Sequence, residues 1–222
     1  MQLRLQLNKM QIIPTILEKD FSLAEIKIKL IRDKSRWIQI DVVDGFFSNG
    51  KSFELELVNK VQKEIQNNLL EIHLMVKEPI KWIEKCNFVG ASRIVGQVEM
   101  MTDREKFVEE IKNMGLESGL AFDVDTEIGE IPTETELILL MGRKSGFESV
   151  EFDEKIYKKI ETLVDIRRDK EMDFKIGIDG GINLEIVRKI KDSGVEIAYC
   201  GGAIFNGMVD DNFEKLKYAG NN

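Results

Sequence analysis

Short apolar runs typical of buried strands alternate with amphipathic runs along nearly the whole of this sequence. The sequence predicts eight strands: Ile12–Leu17, Trp37–Val43, Leu70–Val76, Arg93–Val98, Glu117–Phe122, Glu136–Met141, Phe174–Ile178 and Glu196–Cys200. Uninterrupted alternation of strands and helices implies parallel strand pairing, and eight such units predict a closed sheet. We therefore expect the α/β class and a (β/α)8 TIM barrel, with residues 1–222 forming a single domain.

Between the strands, apolar residues recur every three or four positions, which is the period of an α-helix. Helices are predicted at Phe21–Arg32, Phe53–Ile65, Ile80–Cys86, Arg104–Met114, Asp153–Asp169, Leu184–Ser193 and Ala203–Tyr218. An open, doubly wound sheet is the structural alternative. The glycine-rich turns of this chain lie late, however, whereas a dinucleotide-binding sheet has them after its first strand.

Composition limits the classes of partner. The chain has 222 residues, 43% of them hydrophobic, and a formal net charge of −8. This charge argues against nucleic acid or an anionic membrane as the main partner. No apolar run approaches the roughly 20 residues that span a bilayer, and no secretory signal is recognisable. Cys86 and Cys200 lie far apart, so no disulfide framework is indicated, and we expect a cytoplasmic protein.

Polar residues stand at or near the carboxyl ends of three predicted strands, where an α/β barrel keeps its active site. Gln39 and Asp41 lie on the second strand, His73 on the third, and Asp179 directly after the seventh. Gln39 and Asp41 are two residues apart, so both point to the same side of the strand, into the barrel. These side chains are candidate metal ligands and proton carriers, although a lone histidine is often only a hydrogen-bonded structural residue.

Two carboxylates on opposite sides of a bound substrate suit a two-base epimerisation. One removes a proton next to a carbonyl group from one face, and the other returns a proton to the opposite face. Asp41 and Asp179 are the candidates, because the second and seventh strands lie across the barrel mouth from each other. A divalent metal between them would stabilise the enediolate.

Two glycine pairs, Gly180 with Gly181 and Gly201 with Gly202, follow the seventh and eighth strands. Barrels commonly bind phosphate at these loops, because glycine lets backbone N–H groups approach an anion closely. Glycines also make tight turns in any barrel, so one pair alone would say little. Two pairs on adjacent loops favour a phosphate site.

Taken together, these motifs resemble the ribulose-phosphate 3-epimerase family, (β/α)8-barrel isomerases of pentose phosphate metabolism. The resemblance runs from about Ile13 to Phe205. It rests on the run from Pro14 to Leu17, which is similar to the opening Pro-Ser-Ile-Leu of the family, and on the family's His-Leu-Met at His73. It rests further on three runs: Trp37–Gly45, Asp179–Gly181 and Cys200–Phe205.

The resemblance implies that Asp41 and Asp179 are catalytic and that a divalent metal, Zn, Mn, Fe, Co or Mg, is bound. Its ligands would be Gln39, Asp41, His73 and Asp179. The substrate would be a small phosphorylated ketose, D-ribulose 5-phosphate or a relative, and a homo-oligomer is expected. The implied substrate-binding residues are Thr15, His73, Met75, Gly146, Gly180, Gly181, Gly201 and Gly202.

Several positions depart from the family pattern. Gln39 stands where the family has a metal-binding histidine, and an amide oxygen shifts preference toward harder ions such as manganese or magnesium. Gln97 replaces a histidine at the end of the fourth strand, and Asp123-Val124 replaces Asn-Pro after the fifth. The glycine-rich Asn-Pro-Gly-Phe-Gly-Gly-Gln lid becomes the run 144–150, in which Glu148 would bring a carboxylate near a phosphate.

Three hypotheses remain open from the sequence. The first is a metal-dependent epimerase of a ketose phosphate. The second is a catalytically degenerate barrel that binds a sugar phosphate or a protein partner. The third is a different phosphate-binding barrel enzyme, such as an aldolase or decarboxylase, although no lysine lies beside Asp41 as in the Asp-x-Lys pairs of the related decarboxylases.

Overall fold

Eight parallel strands pair in chain order, and the eighth pairs with the first, so the sheet closes into a barrel. The structure is a computed structural model and describes residues 9–147 and 151–222. The strands are β1 (Gln11–Ile16), β2 (Trp37–Val43), β3 (Leu69–Met75), β4 (Ala91–Gln97), β5 (Glu117–Phe122), β6 (Leu137–Met141), β7 (Lys175–Asp179) and β8 (Ile197–Cys200). The predicted (β/α)8 TIM barrel is confirmed.

The described residues form seven α-helices. They are α1 (Phe21–Ile31), α2 (Ile83–Phe88), α3 (Arg104–Asn113), α4 (Lys155–Asp169), α5 (Leu184–Ile190), α6 (Gly202–Phe205) and α7 (Val209–Asn221). The short α6 lies at the barrel mouth, and the others cover the outside of the barrel. Side-chain caps fix the starts of three of them, because Asp20, Asp103 and Asn183 accept hydrogen bonds from N–H groups of the first turn. No helix in the described part of the chain is long and apolar enough to cross a membrane.

Three predicted helices were wrong in form. The predicted helix Ile80–Cys86 is divided into a 3₁₀ helix at Pro79–Trp82 and the α-helix α2. Leu55–Val61 is a 3₁₀ helix rather than part of a long α-helix, because its buried residues lie three apart and a 3₁₀ helix has three residues per turn. The last predicted helix is divided into α6 and α7. Gly207, with φ of 108°, sits between them in the left-handed region and ends the helical path.

The core has two parts. One lies between the strands and the helices and contains Ile38, Ile40 and Val42 of β2. The other fills the barrel interior, and Trp37 belongs to it. Residues alternate between the two sides of a strand, so Gln39 and Asp41 face the interior, as the sequence predicted.

A charged cluster lies in this interior, and we call Glu71, Arg93, Glu117 and Tyr199 the arginine network. Arg93 is almost fully buried. It donates from Nη1 to Glu71 Oε2 at 2.6 Å and from Nη2 to Glu117 Oε2 at 2.5 Å. The Tyr199 hydroxyl donates to Glu71 Oε2 at 2.9 Å, and the guanidinium lies 4.1 Å from the ring centre of Trp37. Buried charges are thus paired here.

Space for the Tyr199 ring comes from the neighbouring strand. A Cβ atom at Gly177 of β7 would lie 2.8 Å from Tyr199 Cε2, closer than real contacts allow. Only glycine at position 177 is compatible with this ring.

Candidate active site

Three ionisable side chains meet at the carboxyl end of the barrel, and we call Asp41, His73 and Asp179 the mouth cluster. One potential ligand atom from each lies within 4.8 Å of the other two, and all three residues are buried. Register explains part of this, because Asp41 of β2 pairs with His73 of β3. Gln39 pairs with Glu71 in the same register, so the arginine network lies one step deeper in the barrel.

Asp41 is held by two neighbours. The Thr15 hydroxyl donates to Asp41 Oδ2 at 2.9 Å, and His73 Nδ1 lies 3.1 Å from Asp41 Oδ1. Thr15 comes from β1, so three adjacent strands position this one carboxylate. Its orientation toward the barrel mouth is therefore fixed before any substrate arrives.

The pKa values of Asp179 and His73 are displaced from their ordinary range. Burial, and after it the negative charge of Asp41, raises the pKa of Asp179 to about 7. Burial alone would lower the pKa of His73, but the hydrogen bond and the charge of Asp41 outweigh it, and that pKa is raised. A carboxyl group that titrates near neutral pH is suited to acid and base catalysis.

Gln39, two residues before Asp41 on the same side of β2, has an unusual side-chain oxygen. Its Nε2 donates to Glu71 Oε1 at 3.1 Å, which orients the amide. Its Oε1 is buried and has no hydrogen-bond partner among the residues that the structure describes. A buried oxygen without a donor is costly, and a cation would satisfy it. The orphaned oxygen, two carboxylates and one imidazole form a donor set that fits a divalent metal.

Three positions that depart from the family pattern contact one another beside His73. Gln97 Oε1 lies 3.5 Å from His73 Nε2, and Gln97 Nε2 donates to Ser145 Oγ at 2.8 Å. Ser145 Oγ and its backbone N–H both donate to Asp123 Oδ1 at 3.1 Å. The sequence presents these residues as separate losses, and only the fold brings them together.

A cavity of about 620 Å³ opens at the mouth. It is lined by nine of the predicted site residues: Thr15, Asp41, Met75, Gly146, Asp179, Gly180, Gly181, Gly201 and Gly202. His73 and Gln39 do not line it, since both are fully buried behind the surface. Their position suits ligands of a metal better than direct contacts to a substrate.

The glycines of the mouth loops have conformational reasons to be glycine. Gly180 and Gly181 have φ of 94° and 75°, and a Cβ at Gly180 would lie 2.8 Å from Arg143 Cγ. At Gly201 the backbone passes close to β1, because a Cβ there would lie 3.3 Å from the Thr15 carbonyl oxygen. Glycine at these positions therefore permits the tight turns of the loops and keeps the path to the cavity open.

Cationic and amide side chains that the sequence did not single out as a group also line the cavity. Arg143 and Lys144 follow β6, and Lys27 reaches the cavity from α1. Lys27 Nζ lies 2.6 Å from Glu18 Oε1 and 4.9 Å from the ring centre of Phe205. No sequence signal marks Lys27, since it lies on an amphipathic helix. Glu148, expected near the phosphate, lies outside the described residues.

Comparison with known proteins identifies the family. The model of the Ribulose-phosphate 3 epimerase family matches residues 11–205. The chain therefore belongs to this family, as the resemblance indicated. Among its relatives, the ribulose-phosphate 3-epimerase of Treponema pallidum (strain Nichols) is 24% identical over 88% of this chain and 91% of its own length. That of Bacillus subtilis (strain 168) is 26% identical over 88% of this chain and 92% of its own length.

A further relative is the ribulose-phosphate 3-epimerase, cytoplasmic isoform, of Oryza sativa subsp. japonica, which is 25% identical over 88% of this chain and 87% of its own length. Solved structures confirm the fold alone. The 3-keto-L-gulonate-6-phosphate decarboxylase of Vibrio cholerae superposes with a TM-score of 0.67 at 10% identity, covering 96% of this chain and 97% of the other.

Proposed function

We propose that this protein is an active, metal-dependent epimerase that interconverts D-ribulose 5-phosphate and D-xylulose 5-phosphate, or a closely related ketose phosphate. Membership of the family supports an isomerase. The observation that carries the proposal is the mouth cluster itself. Two buried aspartates share one small volume, and the pKa of Asp179 is raised to about 7 while Asp41 keeps two hydrogen-bonding partners.

The chemistry requires a base on one face of C3 and an acid on the other. C3 is next to the C2 carbonyl, so its C–H bond can break and leave the electron pair in an enediolate. Asp41 accepts this proton in one direction, and Asp179 donates a proton to the opposite face. Asp179 suits this role because its buried carboxyl group lies beside Asp41 at the mouth and, before any ion binds, can take up a proton near neutral pH.

The residues present would hold a divalent ion through Asp41, His73 and Asp179, with Gln39 Oε1 as a fourth donor. The ion would supply positive charge for the developing oxyanion. Zn, Mn, Fe or Co would suit the imidazole, while the amide oxygen and the two carboxylates favour Mn or Mg. The unsatisfied oxygen of Gln39 is what supports including it in the set.

The phosphate group of the substrate is proposed to bind at Gly181, Gly201 and Gly202. Their backbones line the cavity, and Arg143 and Lys144 add positive charge at the same opening. A sulfate or phosphate soaked into crystals should therefore contact these N–H groups. An anion bound only at Arg143 and Lys144 would move the phosphate site to the loop after β6.

The test is proton exchange in deuterated water. With metal present, D-ribulose 5-phosphate should gain deuterium at C3 and D-xylulose 5-phosphate should accumulate, both followed by NMR. Asp41→Asn and Asp179→Asn should each slow epimerisation sharply, because each removes one of the two proton carriers. Either variant should lower the rate by about 10²-fold to 10⁴-fold, the usual contribution of one acid or base.

Two other hypotheses give different results in the same experiment. A degenerate barrel would bind ketose phosphates without exchange or inversion, and a decarboxylase or aldolase would break a carbon–carbon bond. The two buried carboxyl groups of the mouth cluster argue against degeneracy, since burying them is costly and a barrel kept only for its shape gains nothing from it. Wild-type protein loaded with metal that gives neither exchange nor inversion would contradict the proposal.

A homo-oligomer is part of the proposal. One face of α1 carries an exposed apolar stripe of Leu23, Ile26 and Leu30, each about half exposed. Monomeric proteins seldom leave such a helical face uncovered. Sedimentation should show an assembly that Ile26→Glu reduces to monomers, while Phe88→Glu, on another exposed apolar residue, should not. We also propose a cytoplasmic location, supported by the relative from rice, which is a cytoplasmic isoform.

A further inference from the structure

Gln97, Ser145 and Asp123 stand where the sequence departs from the family, and they form one continuous hydrogen-bonded chain. We call these three residues the glutamine relay. It begins at His73 Nε2, the ring nitrogen that faces away from Asp41, and ends at the loop after β5. Gln97 and Ser145 are almost fully buried, so water does not compete for these contacts.

The direction of every donor in the relay follows from its far end. The Asp123 carboxylate can only accept, and its Oδ1 already receives the backbone N–H groups of Val124 and Ser145. The Ser145 hydroxyl has one proton, which it must donate to Asp123. Ser145 Oγ is therefore left to accept at its lone pairs, and its neighbour there is Gln97.

The next step fixes the glutamine amide. Gln97 Nε2 donates to Ser145 Oγ at 2.8 Å, so the amide group cannot be turned around without losing this bond. Gln97 Oε1 consequently faces His73 Nε2, at 3.5 Å. A carbonyl oxygen accepts only, so the imidazole nitrogen opposite it must carry the proton.

From this geometry we infer that the glutamine relay is a positioning device: it keeps a proton on Nε2 of His73, so that a metal ion, in place of the proton that Nδ1 shares with Asp41, binds at Nδ1. Nδ1 is the nitrogen beside Asp41. Partners of this kind set the tautomer and ring orientation of a ligating histidine. The inference rests on the proposed function in that it takes His73 to be a metal ligand.

The relay also links the metal site to the loop after β6. Ser145 belongs to that loop, two residues after Arg143, and both line the cavity. A shift of the loop when an anion binds would therefore reach His73 through two side chains. Gln97 and Ser145 act through His73, so neither is a catalytic residue.

One property of the chain makes a direct test possible: His73 is its only histidine. Protein labelled with ¹⁵N-histidine gives a single imidazole in a long-range ¹H–¹⁵N spectrum, and zinc serves as a diamagnetic probe. We expect a proton on Nε2 both without metal and with zinc, and zinc on Nδ1. A bare Nε2 with the proton held on Nδ1, or zinc bound at Nε2, would overturn the inference.

Ser145→Ala tests the relay without touching the ligands. It removes the acceptor that orients Gln97, so the amide can turn, a second set of imidazole signals should appear, and zinc affinity should fall about 10-fold to 100-fold. Gln97→Met should have a similar effect on affinity. Ser145→Thr keeps the hydroxyl and should restore the single set of signals.

Ser118→Ala is the matched control, since Ser118 is a buried serine of β5 that donates to Glu136 and is not part of the relay. It should leave the imidazole signals and the zinc affinity unchanged. An unchanged spectrum and affinity in Ser145→Ala would contradict the relay. These measurements use no substrate, so failure of the epimerase assay and failure of the relay are separate results.

Discussion

The mouth cluster and the arginine network are two groups of buried charges one step apart in the same barrel, yet they are built in opposite ways. In the arginine network, Glu71 receives donors on both oxygens, from Gln39 on one and from Arg93 and Tyr199 on the other. In the mouth cluster, two carboxyl groups lie close together, and the one histidine beside them contacts Asp41.

The pKa values express the same contrast. The charge of Glu71 raises the pKa of Arg93 against the opposing effect of burial, so the guanidinium stays charged. Burial pulls the pKa of Glu71 upward, but three donors point at its oxygens, so we take it as a carboxylate. In the mouth cluster burial is not offset in this way, and the pKa of Asp179 is raised to about 7. The paired charges of the arginine network hold the fold in one arrangement. The carboxyl groups of the mouth cluster lack such an arginine partner among the described residues, so they can exchange protons or bind a cation.

Breaking the arginine network should have the largest effect on stability. Arg93→Met leaves two carboxylates without their partner and should lower the free energy of unfolding by about 3 to 5 kcal/mol. Urea denaturation measures this. Arg167→Met is the control, because Arg167 pairs with Glu196 at 2.6 Å in a partly exposed position and should cost about 1 kcal/mol or less. If both variants lost the same free energy of unfolding, the buried arginine network would be no more important for stability than a partly exposed ion pair.

The mouth cluster should respond in the opposite direction. Asp179 has a pKa of about 7 when folded and an ordinary value of 3.8, so its contribution to stability is present below that ordinary value and is lost as pH rises through 7. Asp179→Asn cannot ionise. At pH 8 it should therefore be more stable than metal-free wild type by up to about 4 kcal/mol, and the gain should shrink toward pH 4.

Asp41→Asn provides the comparison for that experiment. Asp41 accepts from Thr15 and lies against His73, so its replacement should bring no gain in stability. Thermal unfolding between pH 4 and 8 distinguishes the two variants. If Asp179→Asn were less stable than metal-free wild type at pH 8, the buried Asp179 carboxylate would not be destabilising the folded protein.

Metal binding should depend on pH for the same reason. Below pH 7 a proton must leave Asp179 before an ion can bind, so zinc affinity should fall about tenfold for each pH unit, and more steeply if His73 also holds its proton. Competition with a zinc indicator between pH 5.5 and 8 gives the slope. Affinity that is independent of pH would exclude Asp179 from the ligand set.

The smallest effect should come from Gln39, which touches both regions. Gln39→His gains an imidazole nitrogen and should tighten zinc binding about threefold to tenfold, since nitrogen ligands suit transition metals. It also loses the bond to Glu71, so a slight loss of stability should accompany the gain. No change in affinity would show that the residue at position 39 does not reach the ion.

Much of this molecule follows from its sequence alone. Apolar runs locate all eight strands, and β2 and β5 have the predicted limits, because alternating burial leaves a regular pattern. The strand ends also predict that Asp41, His73 and Asp179 converge, since carboxyl ends of parallel strands share one side of a barrel.

The remaining features depend on tertiary contacts that the sequence does not encode locally. Arg93 in the middle of a strand has no visible partner until the register sets it between Glu71 and Glu117. The glutamine relay is hidden for the same reason, because the path of the loop after β6 decides that Ser145 reaches Gln97. Polar residues at separate strand ends are predictable one by one, but their mutual hydrogen bonds are not.

The close approach of Gly177 to Tyr199 ties two positions of neighbouring strands together during evolution. A side chain at position 177 would collide with the ring, so that position can change only after residue 199 has become smaller. A smaller residue at 199 alone would leave a void and remove one donor from Glu71. Either order passes through a less stable intermediate, and the two sites should therefore covary among descendants of this chain: glycine with an aromatic ring, or small side chains at both.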